Sequence, residues 1–459
     1  MKSQSRRNFL KTAACGGLGF AALPEFIPAR LFGADVPSKK IHVAQIGCGR
    51  MGRSDMMNTM TEYLARVVAV CDLDSRRVAE GQKLTEEFYT ERGESGVSVK
   101  AFHDYHDILA SPDVDAVVIS VPDHSHALVA IKAALAGKHV YVQKPVTYSI
   151  AEAIGLRKAV ETRKIILQTG SQQRSERPWR SFRLASEAVR NGRIGRLKTV
   201  NIGIGLDRPS GQPPAPMPVP GNLDYERWLG SAPEQPYMEG RVHPQDALEG
   251  RPGWITTEDF GLGMITNWGA HHVDIAQWAL GQELGGPMTV EARGKFVKND
   301  LHTVHTAYHV ELLYPGNVRV VLDDKFPTGI QFEGDEGWIF CTRGDDNDDG
   351  RPPLRASDKK FLLPPGADAV RWPSSKTHHG NWLQSIIANR PPVAPIQQSA
   401  RSLEACAAAW ISMKLKRKLT WDVATESFIG DAAANALRER PARKPEYDFN
   451  LVLKKAGIV

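Results

Sequence analysis

Apolar residues in the first third of the chain cluster in short runs that close near a glycine, a proline or an acid. Ile41 to Ile46, Arg66 to Asp72, Val114 to Ser120, Lys138 to Val142 and Ile165 to Gly170 show no inside–outside alternation, the pattern of strands covered on both faces. Between them Arg76 to Arg92, Asp104 to Leu109, His126 to Ala136 and Ser149 to Arg163 carry helical spacing. Strands and helices taking turns predict an α/β unit with a doubly wound parallel sheet over residues 39–170.

The rhythm changes from residue 171 onward. A helix over Trp179 to Arg190 and a strand over Leu197 to Leu206 precede an irregular stretch, Asp207 to Gly253, holding ten prolines. A loop of that length is functional or extends over a neighbour. A helix is expected over Trp268 to Leu280, then strands at Met288 to Val297, Thr303 to Tyr314, Val318 to Lys325 and Gly329 to Thr342. Helices near His379 to Asn389 and Ser399 to Lys416 complete an expected α+β domain, 171–459, with an open mixed or antiparallel sheet. The acidic turn Asp345 to Gly350 lacks the alternate ligands and closing glutamate of a calcium loop.

The first apolar run ends in Gly47-Cys48-Gly49-Arg50-Met51-Gly52, a G-x-G-x-x-G turn. Gly47 permits the turn, Gly49 lets backbone approach a pyrophosphate, and Gly52 lets the next helix pack close, with Arg50 and Met51 at the helix start. The second run closes on Asp72, 20 positions after Gly52, where a carboxylate accepts ribose hydroxyls and repels a 2′-phosphate. The pattern predicts a Rossmann domain that binds NAD in preference to NADP. Arg76 and Arg77 lie where they could meet a phosphate, or simply on a solvated helix face.

The first 34 residues stand apart. Ser5-Arg6-Arg7-Asn8-Phe9-Leu10-Lys11 followed by a weakly apolar run and Ala34 is a twin-arginine export pattern, which predicts the twin-arginine translocase as a partner and a periplasmic or otherwise exported protein. Cleavage after Ala34 leaves 53 basic against 51 acidic residues, so the formal +6 falls to +2 and nothing argues for nucleic acid. No later stretch reaches the ~18 uncharged apolar residues of a membrane span. The remaining cysteines, 48, 71, 341 and 406, form no C-x-x-C pair and read as small buried residues.

Further motifs are Val121-Pro122-Asp123-His124-Ser125-His126, Gln143-Lys144-Pro145 and Asn267-Trp268-Gly269-Ala270-His271-His272-Val273-Asp274. With the glycine turn, they make the chain after its leader resemble the Gfo/Idh/MocA family of oxidoreductases. The resemblance implies a nucleotide-binding half, an open sheet carrying substrate and often a subunit contact, hence a homo-oligomer. It implies a catalytic group at Lys144, His271 and position 267, where Asn stands for the family's Asp; position 143 is Gln where the family has Glu. Pro122, His126, Gln143 and Gln172 follow strand ends and are expected at the cofactor, His126 alternatively as a helix cap.

Oxidising a secondary alcohol requires a group that accepts the hydroxyl proton within ~3 Å of its oxygen. Lys144 is such a group if burial and positive charge lower its pKa. Gln143 cannot restore that pKa, and Asn267 cannot stabilise an imidazolium, so His271 is the expected proton carrier and Lys144 the polarising group. His272, Arg241, His243 and Trp254 are substrate candidates, as is His379; adjacent histidines face different sides of a helix, so no metal is expected at 271–272. The expected activity is NAD-dependent hydride transfer at a hydroxyl of a sugar, glycoside or cyclitol. Export beyond the cytoplasmic NAD pool suggests a retained, recycled dinucleotide. A redox-neutral NAD-dependent glycosidase and a non-catalytic carbohydrate-binding protein are the alternatives.

Overall fold

Six strands line up as one parallel sheet: β1 (Ile41–Ile46), β2 (Ala65–Cys71), β3 (Lys100–Phe102), β4 (Ala116–Ile119), β5 (His139–Val142) and β6 (Leu167–Thr169). Their order, β3-β2-β1-β4-β5-β6, reverses direction between β1 and β4, the crevice where open α/β sheets bind ligands. The computed structural model describes residues 40–458 apart from 210, 212–214, 248, 298–300, 345–350 and 365. The expected export leader and the expected acidic turn at 345–350 lie outside the described residues.

Helices α1 (Arg50–Met60), α2 (Ser75–Thr90), α3 (Tyr105–Ala110), α4 (Asp123–Leu135) and α5 (Ile150–Arg163) join these strands. The start of α5 is set by a capping box: Ser149 accepts from the Glu152 N–H while Glu152 accepts from the Ser149 N–H, a device that contributes about 1 kcal/mol. Helix α4 begins three residues before the expected His126, because Pro122 serves as its N-cap. β3 escaped the apolar pattern, being three residues with two of them exposed.

The second sheet has nine strands in the order β13-β12-β11-β7-β10-β9-β8-β14-β15. They are β7 (Leu197–Gly203), β8 (Thr289–Phe296), β9 (His305–Tyr314), β10 (Val318–Asp323), β11 (Gly329–Gly334), β12 (Trp338–Cys341), β13 (Leu354–Ala356), β14 (Leu419–Asp422) and β15 (Ser427–Phe428). Only β7 and β10 pair in parallel, so the sheet is mixed. The run expected as one strand over 329–342 is two, paired antiparallel around Asp335 and Glu336.

One face of this sheet is covered by α6 (Arg180–Arg190), α9 (Gly269–Leu280) and α11 (Ile396–Leu415); α7 (Tyr225–Leu229), α8 (Met264–Asn267), α10 (His378–Ala388), α12 (Ala432–Ala436) and α13 (Phe449–Lys455) complete the helices used below. Every residue of α9 except Leu280 is buried, and Trp278 stacks on Trp372 in the core, 4.5 Å between ring centroids. The two sheets belong to one folded unit starting at Ile41. Ile396, Leu403, Phe449 and Leu453 complete the core around the parallel sheet, so residues beyond 390 contribute to both halves. All four described cysteines are buried and free. No described helix is long and apolar enough to cross a membrane.

Candidate active site

A cavity of about 820 Å³ runs from the glycine turn to the first residues of α9. At its dinucleotide end, Gly47 has φ +90, and a Cβ there would lie 2.5 Å from the Ser120 carbonyl oxygen; a Cβ at Gly52 would lie 1.8 Å from the Gly47 oxygen. The first glycine is therefore required by backbone conformation and the third by close packing. Gly49 caps α1 without a side-chain acceptor, and Gly49, Arg50 and Met51 line the cavity, so the helix start can receive a pyrophosphate.

Asp72 is held rigidly beside this turn: the Cys48 N–H donates to one oxygen at 2.7 Å and the Asp74 N–H to the other at 3.0 Å. The carboxylate lines the cavity and suits ribose hydroxyls. Arg77 is not on a solvated face as the sequence allows; it is 4% exposed and donates to the Pro244 carbonyl at 3.2 Å. Arg76 is bonded to Gln245. Both guanidinium groups are thus engaged with the proline-rich segment.

That segment folds back over the edge of the parallel sheet as a strap, pinned at Asp74. The Asp74 carboxylate meets His243 Nε2 at 3.1 Å and accepts from Asn222 Nδ2 at 2.7 Å. The Ser75 N–H donates to the Asn222 carbonyl at 2.8 Å, and the Asp224 N–H to the Leu73 carbonyl at 3.0 Å. Burial raises the Asp74 pKa, but the hydrogen bonds from His243 and Asn222 outweigh it and hold the carboxyl well below its usual range. His243, a substrate candidate from the sequence, is therefore a clasp at the dinucleotide end. Arg241 is not at the cavity: its guanidinium donates to the Pro236 carbonyl at 3.0 Å and to Met238 Sδ at 3.3 Å. Trp254 does line the cavity.

At the other end, β5 leads into Gln143 and Lys144, and α8 and α9 deliver Asn267 and His271. Lys144 Nζ donates to Asn267 Oδ1 at 3.2 Å, so the amide holds the lysine rather than the histidine. His271 lines the cavity at 5% exposure with Nδ1 unpartnered. His272, expected at the substrate, points the other way, packing on Phe182 and Trp268 with ring centroids 5.6 and 5.7 Å away. Consecutive helical residues cannot share one narrow face. His126 is not a cap; its Nδ1 stands 2.7 Å from the Pro145 carbonyl oxygen and props the Lys144–Pro145 turn, while Pro122 and His126 line the cavity. Gln172 lines it too, donating to the Tyr141 hydroxyl at 3.2 Å.

Electrostatics divide the roles. Burial lowers the Lys144 pKa, Asp123 opposes that, and Arg343 and Arg251 reinforce it. Burial, followed by Arg343 and Lys144, drives the His271 imidazole well below its ordinary value, so it is neutral at pH 7. A neutral imidazole among cations is a poor holder of a proton, which shifts the proton-carrying role toward Lys144. The pattern of motifs missed three contributors. Arg343 sits over the rings of Trp179 and Trp268, 3.8 and 4.4 Å from their centroids. Asp55, 1% exposed, accepts from Gln143 and Ser120 Oγ, with His379 Nε2 3.4 Å away. Asp123 lines the cavity beside Lys144. Asp123 stood in a quoted motif at a strand end, a usable signal; Arg343 follows β12 with none. Among the described residues no group of three His, Cys, Asp or Glu is placed to hold a metal ion.

Residues 41–171 match the family model described as an oxidoreductase family, NAD-binding Rossmann fold, and residues 210–448 match the C-terminal alpha/beta domain of the same family. The chain belongs to the Gfo/Idh/MocA oxidoreductase family. Among Gfo/Idh/MocA-like curated proteins, it is 28% identical over 225 residues to a myo-inositol 2-dehydrogenase of Thermotoga maritima, covering 49% of this chain and 59% of that one. It is 30% identical over 210 residues to a glycosyl hydrolase family 109 protein 2 of Shewanella sp. (strain ANA-3), covering 43% and 45%. The chain thus spans about half the length of these relatives. Its fold is similar to that of the WlbA dehydrogenase from Bordetella pertussis, solved with NADH and UDP-GlcNAcA, at a TM-score of 0.59 and 18% identity over 83% of this chain and 99% of that one.

Proposed function

We propose that this protein is an NAD(H)-dependent oxidoreductase acting on a hydroxyl of a sugar, glycoside or cyclitol, with a dinucleotide that it retains between turnovers. The observation carrying this reading is the single cavity that joins the uncapped start of α1 to the Lys144–Asn267 contact and His271. The residues fit the dinucleotide: the α1 N-terminus suits its phosphates, Asp72 its ribose, and Pro122, Gln143 and Lys144 the end near the chemistry.

When bound, NAD supplies the hydride acceptor. The chain's own groups position and deprotonate the alcohol. Lys144, its ammonium destabilised by burial, can exchange a proton with the hydroxyl near neutral pH. Asn267 fixes the lysine's direction, and neutral His271 lines the same cavity, within which its ring can hydrogen-bond a hydroxyl. Trp254 lines the cavity and can offer a flat apolar face to a sugar ring.

The strap over the dinucleotide end favours a redox-neutral cycle. A carbon adjacent to a transient keto group loses a proton readily, so epimerisation or loss of an aglycone could follow oxidation before the hydride returns. The relative named as a glycosyl hydrolase supports that branch. The twin-arginine pattern supports export of the folded, loaded protein to the periplasm, and the family's open sheet supports a homo-oligomer. Native mass spectrometry of protein exported by its own host tests the reading. Retained NAD and sugar turnover without net NADH formation are expected; a nucleotide-free protein that turns over only with excess added NAD would refute retention. Sugar binding with no hydride exchange, unchanged in Lys144→Ala and His271→Ala, would instead establish a non-catalytic binder.

A further inference from the structure

Cavity-lining residues recur along α1 and just past its end: Met51, Ser54, Asp55, Asn58, Thr61 and Glu62. Steps of three and four make a single helical face, so the cavity follows α1 along its whole length. Contacts give its order. The glycine turn lies at the start of α1, and Asp55, in the second turn, accepts from Gln143, the neighbour of Lys144. Thr61 is six residues beyond Asp55, about 9 Å of helix and longer than one hexose ring. Asp55 is buried, whereas Ser54, Asn58 and Thr61 are exposed, so the cavity opens to solvent at this end. The strap covers the other.

The facing wall is fixed to α1 and to itself. Thr377, the N-cap of α10, donates its hydroxyl to Glu62 at 2.6 Å, with little room to spare: a Cβ at Gly380 would lie 2.7 Å from Glu62 Oε2. The Glu176 N–H donates to the Ser375 carbonyl at 2.8 Å and the Arg177 N–H to the Lys376 carbonyl at 3.1 Å. Ser175 Oγ stands 2.8 Å from His378 Nδ1. These ties hold Arg177 and Thr377 at the mouth of the cavity, which both of them line.

The chemistry of the mouth selects its occupant. It carries one carboxylate, Glu62, and one guanidinium, Arg177, beside the Asn58 amide and the hydroxyls of Thr61 and Thr377. Such a set gives and accepts hydrogen bonds without a surplus of either charge. A diphosphate calls for a surplus of cations, and a greasy aglycone for an apolar wall. A neutral ring bearing hydroxyls suits what is there.

We propose that this mouth is a subsite for a second, neutral sugar residue, so that the substrate is the end of a disaccharide or longer glycan. This rests on the function proposed above, which sets the reacting ring at Lys144. The next ring then lies between α1 and Arg177, hydrogen-bonded to Asn58 and Arg177.

Calorimetric titration of the NAD-loaded protein tests the subsite. The ligands are glucose, galactose, mannose and N-acetylglucosamine, each as a methyl glycoside and as the terminal residue of a disaccharide, together with UDP-glucose. For the best-bound sugar the disaccharide is expected to bind at least about tenfold more tightly than the methyl glycoside. Asn58→Ala and Arg177→Ala are each expected to cut that ratio about three- to tenfold. Both side chains are exposed, so neither change is expected to unfold the protein. Equal affinity for methyl glycoside and disaccharide, or a ratio untouched by either substitution, would overturn the subsite. So would a panel in which nothing binds, and so would UDP-glucose binding more tightly than every disaccharide, which would make the mouth a nucleotide site. Hydride exchange is read separately, from the fluorescence of bound NADH. A disaccharide that shows the expected binding pattern but exchanges no hydride would uphold the subsite and sink the oxidoreductase reading instead.

Discussion

Gln143 Nε2 stands 2.9 and 2.8 Å from the two carboxylate oxygens of Asp55. This amide donates to a buried acid from α1, which a glutamate at position 143 could not do when ionised. A glutamate at 143 would set two buried carboxylates against each other, and like charges at that range cannot both ionise without cost. Gln143→Glu is expected to destabilise by about 3 kcal/mol, while Gln143→Glu combined with Asp55→Asn recovers most of it. A double-mutant cycle by denaturant unfolding reads the coupling, and additive effects would disprove the exchange.

The strap's grip on Asp74 bears on cofactor release. Asp74→Asn weakens the charge-assisted contact with His243, a contact of the kind worth about 1.5–3 kcal/mol. Dinucleotide release from the variant is expected to be roughly ten- to a hundredfold faster, read as NAD lost during gel filtration. Unchanged retention would show that the strap does not hold the cofactor.

Arg174 and Asp274 form a bidentate pair at 2.6 and 2.8 Å, each 1% exposed, joining the segment after β6 to α9. Ser402 of α11 adds a third contact at 2.9 Å. Asp274→Asn should cost about 3–5 kcal/mol by stranding the guanidinium, and Arg174→Met with Asp274→Leu should cost less than either half alone. Chemical denaturation distinguishes these outcomes. Because His271 lies on the same helix as Asp274, loss of the pair should also lower turnover without altering which sugar is bound.

Acid should unfold the protein through its histidines. Burial holds His124, His272 and His378 down at about 3 and His126 and His305 at about 4, and pushes His271 well below its ordinary value. Each binds fewer protons folded than unfolded, so its penalty is absent above the unfolded pKa near ~6.5 and grows by about 1.4 kcal/mol per pH unit below it. Asp123, Glu152 and Glu404 act in the opposite sense, since burial raises their pKa values, that of Glu404 to about 7. The histidines outnumber them, so Tm should fall between about pH 7.5 and about pH 5.5. A Tm that rises over that window would contradict the burial assignments.

The parallel sheet was legible because strands covered on both faces are mainly apolar, as β4 is throughout and β1 is but for His42 and Gln45. β3 was not, since an edge strand of three mostly exposed residues carries no such demand. In the site, Lys144, Asn267 and His271 could be paired from their motifs, and the structure brings them together. The strap defeated sequence reasoning: His243 and Arg241 stand two residues apart in an irregular segment, and only tertiary contacts decide that one clasps Asp74 while the other turns to Pro236. The mouth beside α1 shows a different limit, because a groove walled by α1 and the start of α10 joins segments far apart in the chain and leaves no mark on spacing.

Helix α13 fits against α5 so tightly that a Cβ at Gly155 would lie 2.9 Å from Leu453 Cδ1 and 3.1 Å from Phe449. The interior of the first half is therefore closed by residues from far downstream in the chain. A fragment cut at the end of β6 would bare a greasy seam between α4 and α5, and would be expected to clump rather than serve as a free-standing nucleotide module. Dinucleotide loading would then wait until α13 had been synthesised and docked.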